Sequence, residues 1–208
     1  MDSLIREYVA PVAKSAGFRK AGRTFWTVGD RLDYVLFGFQ VHAVDPEAIV
    51  FDVEFYAVPE PYWDWVNRGQ QPVGKVPNSS GALVTGRVVP PTSVAHRPDD
   101  GMPFRARWAF RPGGEESCGR VLAETLRTEA LPRIQLMVDR DHLLEVVRSR
   151  DVSLMKRMTP TLREIVLRID DIAADDLAAL LAEAEASGAP AAFVRWAHER
   201  REARRKAE

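Results

Sequence analysis

Apolar residues recur at helical spacing through Leu4, Ile5, Tyr8, Val9 and Val12, and Asp2 or Ser3 can cap the helix they predict. Pro11 lies inside that run, so a kink or a restart is expected there. Gly17 is the stop signal, because the residue past a helix end often takes positive φ. From Phe18 the period changes to two. The pattern predicts a first strand over 18–28, a hairpin turn at Gly29-Asp30, and a second strand from Leu32 to Val41. The second strand is apolar on both faces, as a central covered strand is. After an Asp45-Pro46 turn, a third strand sets Ile49, Phe51, Val53 and Phe55 on one face, with Val50, Asp52, Glu54 and Tyr56 on the other. Short connections between the three favour an antiparallel meander.

Residues 57–81 are Pro-rich and the least regular in pattern. Strand alternation resumes weakly over 82–89 and 104–110, with Pro90-Pro91 and Pro98-Asp99-Asp100-Gly101 between them as loop. Past Gly113-Gly114 the period is helical. Cys118, Val121, Leu122, Thr125 and Leu126 make one stripe, and Pro132 breaks or bends the run. Asp141 is the expected cap of a helix with Leu143, Leu144 and Val147 inside. Further helices are expected over 162–169, over 174–186 and from Pro190 onward. The fold class is therefore α+β. An antiparallel β-meander sheet packed by an N-terminal helix and central helices occupies 1–150, with a C-terminal helical extension over 151–208.

Composition narrows the classes. A chain of 208 residues with 46% hydrophobic content can bury one sizeable core. A net charge of -1 argues against a surface wholly adapted to nucleic acid or anionic membrane. Cys118 is the only cysteine, so no intrachain disulfide forms, the N-terminal residues are charged, and the apolar runs are too short to cross a bilayer. A cytoplasmic protein is expected. The excess of arginine over lysine, 24 to five among 29 cations, matches the codon bias of a GC-rich bacterial genome.

Gly17, Phe18, Arg19, Lys20, Gly22, Thr24, Phe25 and Trp26, followed by Gln40 and then Phe51, Val53 and Phe55, carry a resemblance. In element order and in these residues the chain is similar to the bacterial domain-of-unknown-function family numbered four-three-zero-four, and Leu131-Pro132 fits it too. The likeness covers residues 4–150. It departs where the family often has a serine after the glutamine, since Val41-His42 stands here. The resemblance implies a fold and brings no mechanism.

Several constellations have both a chemical and a plain meaning. Gly69–Lys75 satisfies G-x-x-x-x-G-K, but Val76 cannot ligate Mg²⁺ and Pro77 blocks the following helix, so a phosphate loop is not expected. Arg19 and Arg23, four apart on one strand face, suit an anion or an acidic partner, or else guard an edge strand. Asp52 and Glu54 share a face and suit acid–base work, or else form an arginine-paired surface. His42, His96, His142 and His198 are scattered, so neither a metal nor another cofactor is expected. Cys118 falls on an apolar stripe and reads as a buried thiol. Tyr62, Trp63 and Trp65 make a binding lip, or else cap the sheet. The C-terminal helix is rich in bases and lacks an apolar face beyond Trp196, which predicts that its end projects into solvent.

The favoured function is non-catalytic: binding of another macromolecule, in all expectation a protein, through a surface that includes Arg19, Arg23, Gln40, Asp52, Glu54, Tyr62, Trp63 and Trp65. One alternative is a small-molecule-binding or hydrolytic enzyme with Asp52 or Glu54 as base. The other is nucleic-acid association through Arg200, Arg201, Arg204 and Arg205.

Overall fold

A computed structural model describes residues 1–42, 47–69, 76–78, 81–96, 106–149, 155–156 and 158–207. The expected turns at Asp45-Pro46 and Pro98–Gly101, and most of the Gly69–Lys75 stretch, lie outside those residues. The fold is α+β with an antiparallel sheet and a helical C-terminal part. The chain forms two compact units that alternate along the sequence. The first holds Met1–Val28, Val35–Tyr56 and Thr85–Leu136, and the second holds Gly29–Tyr34, Ala57–Val84 and Met137–Glu208.

In the first unit, helix α1 spans 2–15, as Asp2–Leu4, a π-helical turn Ile5–Val9, and Ala10–Ser15. Pro11 is the cause of the widened turn. A proline clashes with the carbonyl four residues back, and here Ala10, just before it, donates to the carbonyl of Ile5 instead of bonding at the α spacing. The same device recurs in helix α3, spanning 115–136. Its middle is the π turn Leu126–Ala130, and Leu131, just before Pro132, donates to the carbonyl of Leu126. Both prolines are thus absorbed without breaking their helices.

The stretch 18–28 is a hairpin, not one strand. Strands β1 (Arg19–Ala21) and β2 (Thr24–Val28) pair antiparallel with Ala21 opposite Thr24, around a two-residue turn at Gly22-Arg23. Gly22 sits at φ +60°, which a tight hairpin requires and glycine tolerates. Strands β3 (Tyr34–Val41) and β4 (Ile49–Val58) follow, so β1 to β4 lie side by side in order. The far edge of β4 is divided. Its start pairs with β7 (Arg107–Phe110), Phe51 opposite Trp108. Farther along, β5 (Val84–Arg87) takes over, with the Val88 amide donating to the Val53 carbonyl at 2.8 Å. A short β6 (Ala95–His96) adds to β7.

The core of this unit is a chain of rings. Phe25 stacks on Phe37 at 4.8 Å, Phe18 meets Phe37 edge-on at 5.3 Å, and Phe51 packs against Trp108 and Phe110. Each fully buried ring contributes about 1.5–3 kcal/mol over an exposed one. Trp108 also donates its indole N–H to the Val88 carbonyl at 2.7 Å.

The second unit is largely helical: α2 (Glu60–Asn67), α4 (Arg140–Arg148), the short strand β8 (Met155–Lys156), α5 (Pro160–Arg168), α6 (Ala174–Ala186) and α7 (Ala191–Ala207). Helix α5 packs against α2, α4 and α6, and α6 against α7. Helix α2 falls in the stretch expected to be irregular, because its prolines stand before and at its first turn, where their missing N–H costs nothing. The cap of α4 is Asp139, which accepts from the Asp141 amide at 2.9 Å, and not Asp141 itself. Among the described residues no helix is long and apolar enough to cross a membrane.

Gly119 lets α3 pack closely on α1, since a Cβ there would stand 2.4 Å from the Tyr8 ring. Replacement by leucine is expected to cost about 1–3 kcal/mol in urea unfolding, as overpacking of a closed interior does. An unchanged midpoint would refute this contact.

Candidate functional site

In the first unit Asp52 lies where β5 and β7 meet along β4, and it is buried. His42 Nε2 stands 2.6 Å from its Oδ2, Arg87 donates to its Oδ1, and Arg107 Nε lies 3.7 Å from Oδ2. Arg87 also donates to the Ala106 carbonyl at 3.1 Å, tying the ends of the two edge strands together. Glu54 accepts from the hydroxyl of Tyr56. Both sheet carboxylates are therefore occupied by internal donors, and the site is an electrostatic clamp on a strand junction.

Nothing local in the sequence pointed to the partners of Asp52. His42 comes from beyond the end of β3, brought close by the antiparallel pairing that joins its amide to the Val50 carbonyl at 3.0 Å. Arg87 and Arg107 arrive on two separate strands. Gln40 is exposed near the end of β3. Arg19 and Arg23 do not share a strand face. Arg19 stacks over Trp26 at 5.1 Å, while Arg23 sits in the hairpin turn and binds Asp2 at 2.8 and 3.2 Å. The Cys118 thiol is buried, and burial pushes it up to about 11, far from a reactive thiolate.

In the second unit a chain of ion pairs runs through the interior. Arg140, 4% exposed, binds Asp33 through Nε and Nη2 at 2.7 and 3.0 Å, and Asp170 through Nη1 at 2.6 Å. Arg200, 14% exposed, grips the same Asp170 side-on at 2.9 and 3.0 Å. Its remaining reach goes to Glu60 at 2.5 Å and Asp64 at 3.4 Å. Asp33 has a second task. Pro59 has no capping oxygen for α2, and Asp33 accepts the first helical amide, that of Glu60, at 2.8 Å.

These residues underlie an open cavity of about 840 Å³. Carboxylates of Asp30, Glu60, Asp64, Asp170 and Glu199 line it alongside the guanidiniums of Arg31, Arg68, Arg140, Arg200 and Arg204, so neither sign dominates. Leu32 also lines it. This residue is 59% exposed and holds φ +62°, the left-handed region that costs a branched side chain about 1–3 kcal/mol.

The side chains of α2 and of Arg68, which follows it, divide by helical spacing. Glu60, Asp64 and Arg68 point to the charged cavity, whereas Tyr62 and Trp65 line a separate cavity of about 340 Å³. Trp65 meets Phe193 edge-on at 5.1 Å and Trp196 at 5.6 Å, with the Arg68 guanidinium 3.3 Å over its ring. Trp63 is half-buried, and a Cβ at Gly81 would strike its ring. The C-terminal helix is half-buried at Arg200 and Arg201, and its end, over 202–206, is exposed as expected. Arg200 is seated among carboxylates and Arg201 donates to the Asp170 carbonyl at 3.3 Å, while Arg204 and Arg205 are exposed.

Compared with family models, with curated proteins and with solved structures, the chain matches none.

Burial alone would raise the Asp170 carboxyl, but the hydrogen bonds from Arg200 and Arg140 outweigh it and hold the group at about 2. Unfolded, it titrates near the ordinary 3.8. The depressed value means the bonds stabilise the fold fully above pH 4, and that this contribution, about 2 kcal/mol, is lost between pH 4 and pH 2. Acid unfolding followed by circular dichroism should show the loss in that window, and Asp170→Asn should remove most of the slope. Asp170→Ala, which strands two buried guanidiniums, should cost about 3–5 kcal/mol at pH 7.

Proposed function

We propose that this chain is a non-catalytic binding protein that recognises another protein through the charged cavity of its second unit, with Leu32 as the apolar anchor. Leu32 carries the reading. An exposed leucine loses nothing by replacement with a polar residue, and a residue at φ +62° loses strain by replacement with glycine. Stability therefore gives no reason for a leucine here, whereas an apolar side chain ringed by charge is the arrangement of an interface centre. Balanced cations and anions around it suit a partner of mixed charge and give orientation. Enzymatic use of Asp52 or Glu54 finds less support, because both Asp52 oxygens are engaged by His42 and Arg87, and Glu54 accepts from Tyr56. Nucleic-acid association loses Arg200 to its carboxylate partners. Membership of the domain-of-unknown-function family and a cytoplasmic setting belong to the same proposal, supported by the residues from Gly17 to Trp26 and the lone cysteine.

Leu32→Gly separates binding from folding. The variant should keep or raise the melting temperature while losing at least tenfold in affinity for a protein that the wild type retains from bacterial lysate in stoichiometric amount. Retention by Leu32→Gly or Leu32→Asp equal to that by the wild type would contradict this reading.

A further inference from the structure

The second cavity, of about 340 Å³, is walled by buried Tyr62, Leu162 and Phe193 and by half-buried Trp65. Helix α6 contributes only Ala184 to its floor, and the turn between α6 and α7 supplies Ser187 at an exposed mouth. Close packing of a helical unit normally leaves no space of this size. A closed apolar cavity of about 150 Å³ already admits benzene. The space here is more than twice that and falls in the range of small-ligand sites. Three rings converge on it, with Trp65 and Phe193 in edge-to-face contact, and their remaining surfaces offer a further ring the same kind of packing. Thr159 also lines the cavity, but its hydroxyl oxygen already accepts from the Leu162 amide at the start of α5. Ser187 is then the hydroxyl at the mouth available to orient a polar substituent.

We infer that this cavity is a ligand site for a small aromatic molecule of about two fused rings bearing one polar group. The site shares helix α2 with the charged cavity but uses its other face, so it does not rest on the protein-binding reading. The ligand lays its rings against Tyr62, Trp65 and Phe193 and leaves its polar group at Ser187.

Titration of the intact protein with 2-naphthol, by calorimetry and by tryptophan emission, tests this. Saturable one-to-one binding is expected, at least tenfold tighter than that of cyclohexanol. Ala184→Leu, which fills the floor, and Ser187→Leu, which fills the mouth, should each weaken it at least tenfold. Ser187 is exposed, so that variant keeps the fold even if Ala184→Leu does not. Nuclear Overhauser contacts should join the naphthol protons to the Leu162 methyls. Absence of those contacts, or undiminished binding by Ser187→Leu, would overturn the assignment. An equal affinity for cyclohexanol would overturn its aromatic character.

Discussion

A single carboxylate, that of Asp170, holds the second unit together. At 1% exposure it cannot remain charged without partners, and it has three guanidiniums: Arg204 at 3.6 Å, and Arg140 and Arg200, which each reach onward to other acids. Arg140 passes the connection to Asp33 in the 29–34 loop, and Asp33 passes it to the first amide of α2. Arg200 passes it from α7 to Glu60, also on α2. The loop, α2, α4, α7 and the end of α5 are thus oriented by one hydrogen-bonded system. Such networks gain more from geometry than from Coulomb energy: a loose fit would leave buried charge uncompensated.

That orientation has consequences on both sides of α2. Its charged face, at Glu60, Asp64 and Arg68, borders the larger cavity, and its aromatic face, at Tyr62 and Trp65, borders the smaller. The same system positions the loop that carries Leu32, only one residue from Asp33. A backbone residue in the left-handed region persists where its surroundings over-determine it. Here Asp33 is fixed by three hydrogen bonds, and the Gly29 amide donates to the Asp33 carbonyl at 2.9 Å.

Much of the architecture was legible in the residues. The switch from helical to alternating period at Phe18, the doubly apolar β3, and the helix over 174–186 all follow from local pattern. The hairpin within 18–28 was hidden because Gly22-Arg23 interrupts an alternation that continues smoothly on both sides. Helix α2 was hidden by prolines that in fact sit at its start. The sites were far less visible. Asp52 stood out, but its partners lie on three other segments, and no spacing rule joins 42, 87 and 107. Arg200 looked like one of a solvated run of bases, since an ion pair across 140 residues leaves no periodic trace. Tyr62 and Trp65 were recognisable as aromatic candidates, and only packing against Phe193 shows that they line a cavity.

The most direct test of the central claim is a double-mutant cycle between Asp33→Asn and Arg200→Gln, measured by urea unfolding at pH 7. These two side chains share no hydrogen bond and are joined through Arg140 and Asp170 on one side and through Glu60 on the other. A coupling above about 0.5 kcal/mol is predicted, because the two changes perturb one network. Strict additivity would contradict it and would reduce the system to independent pairs.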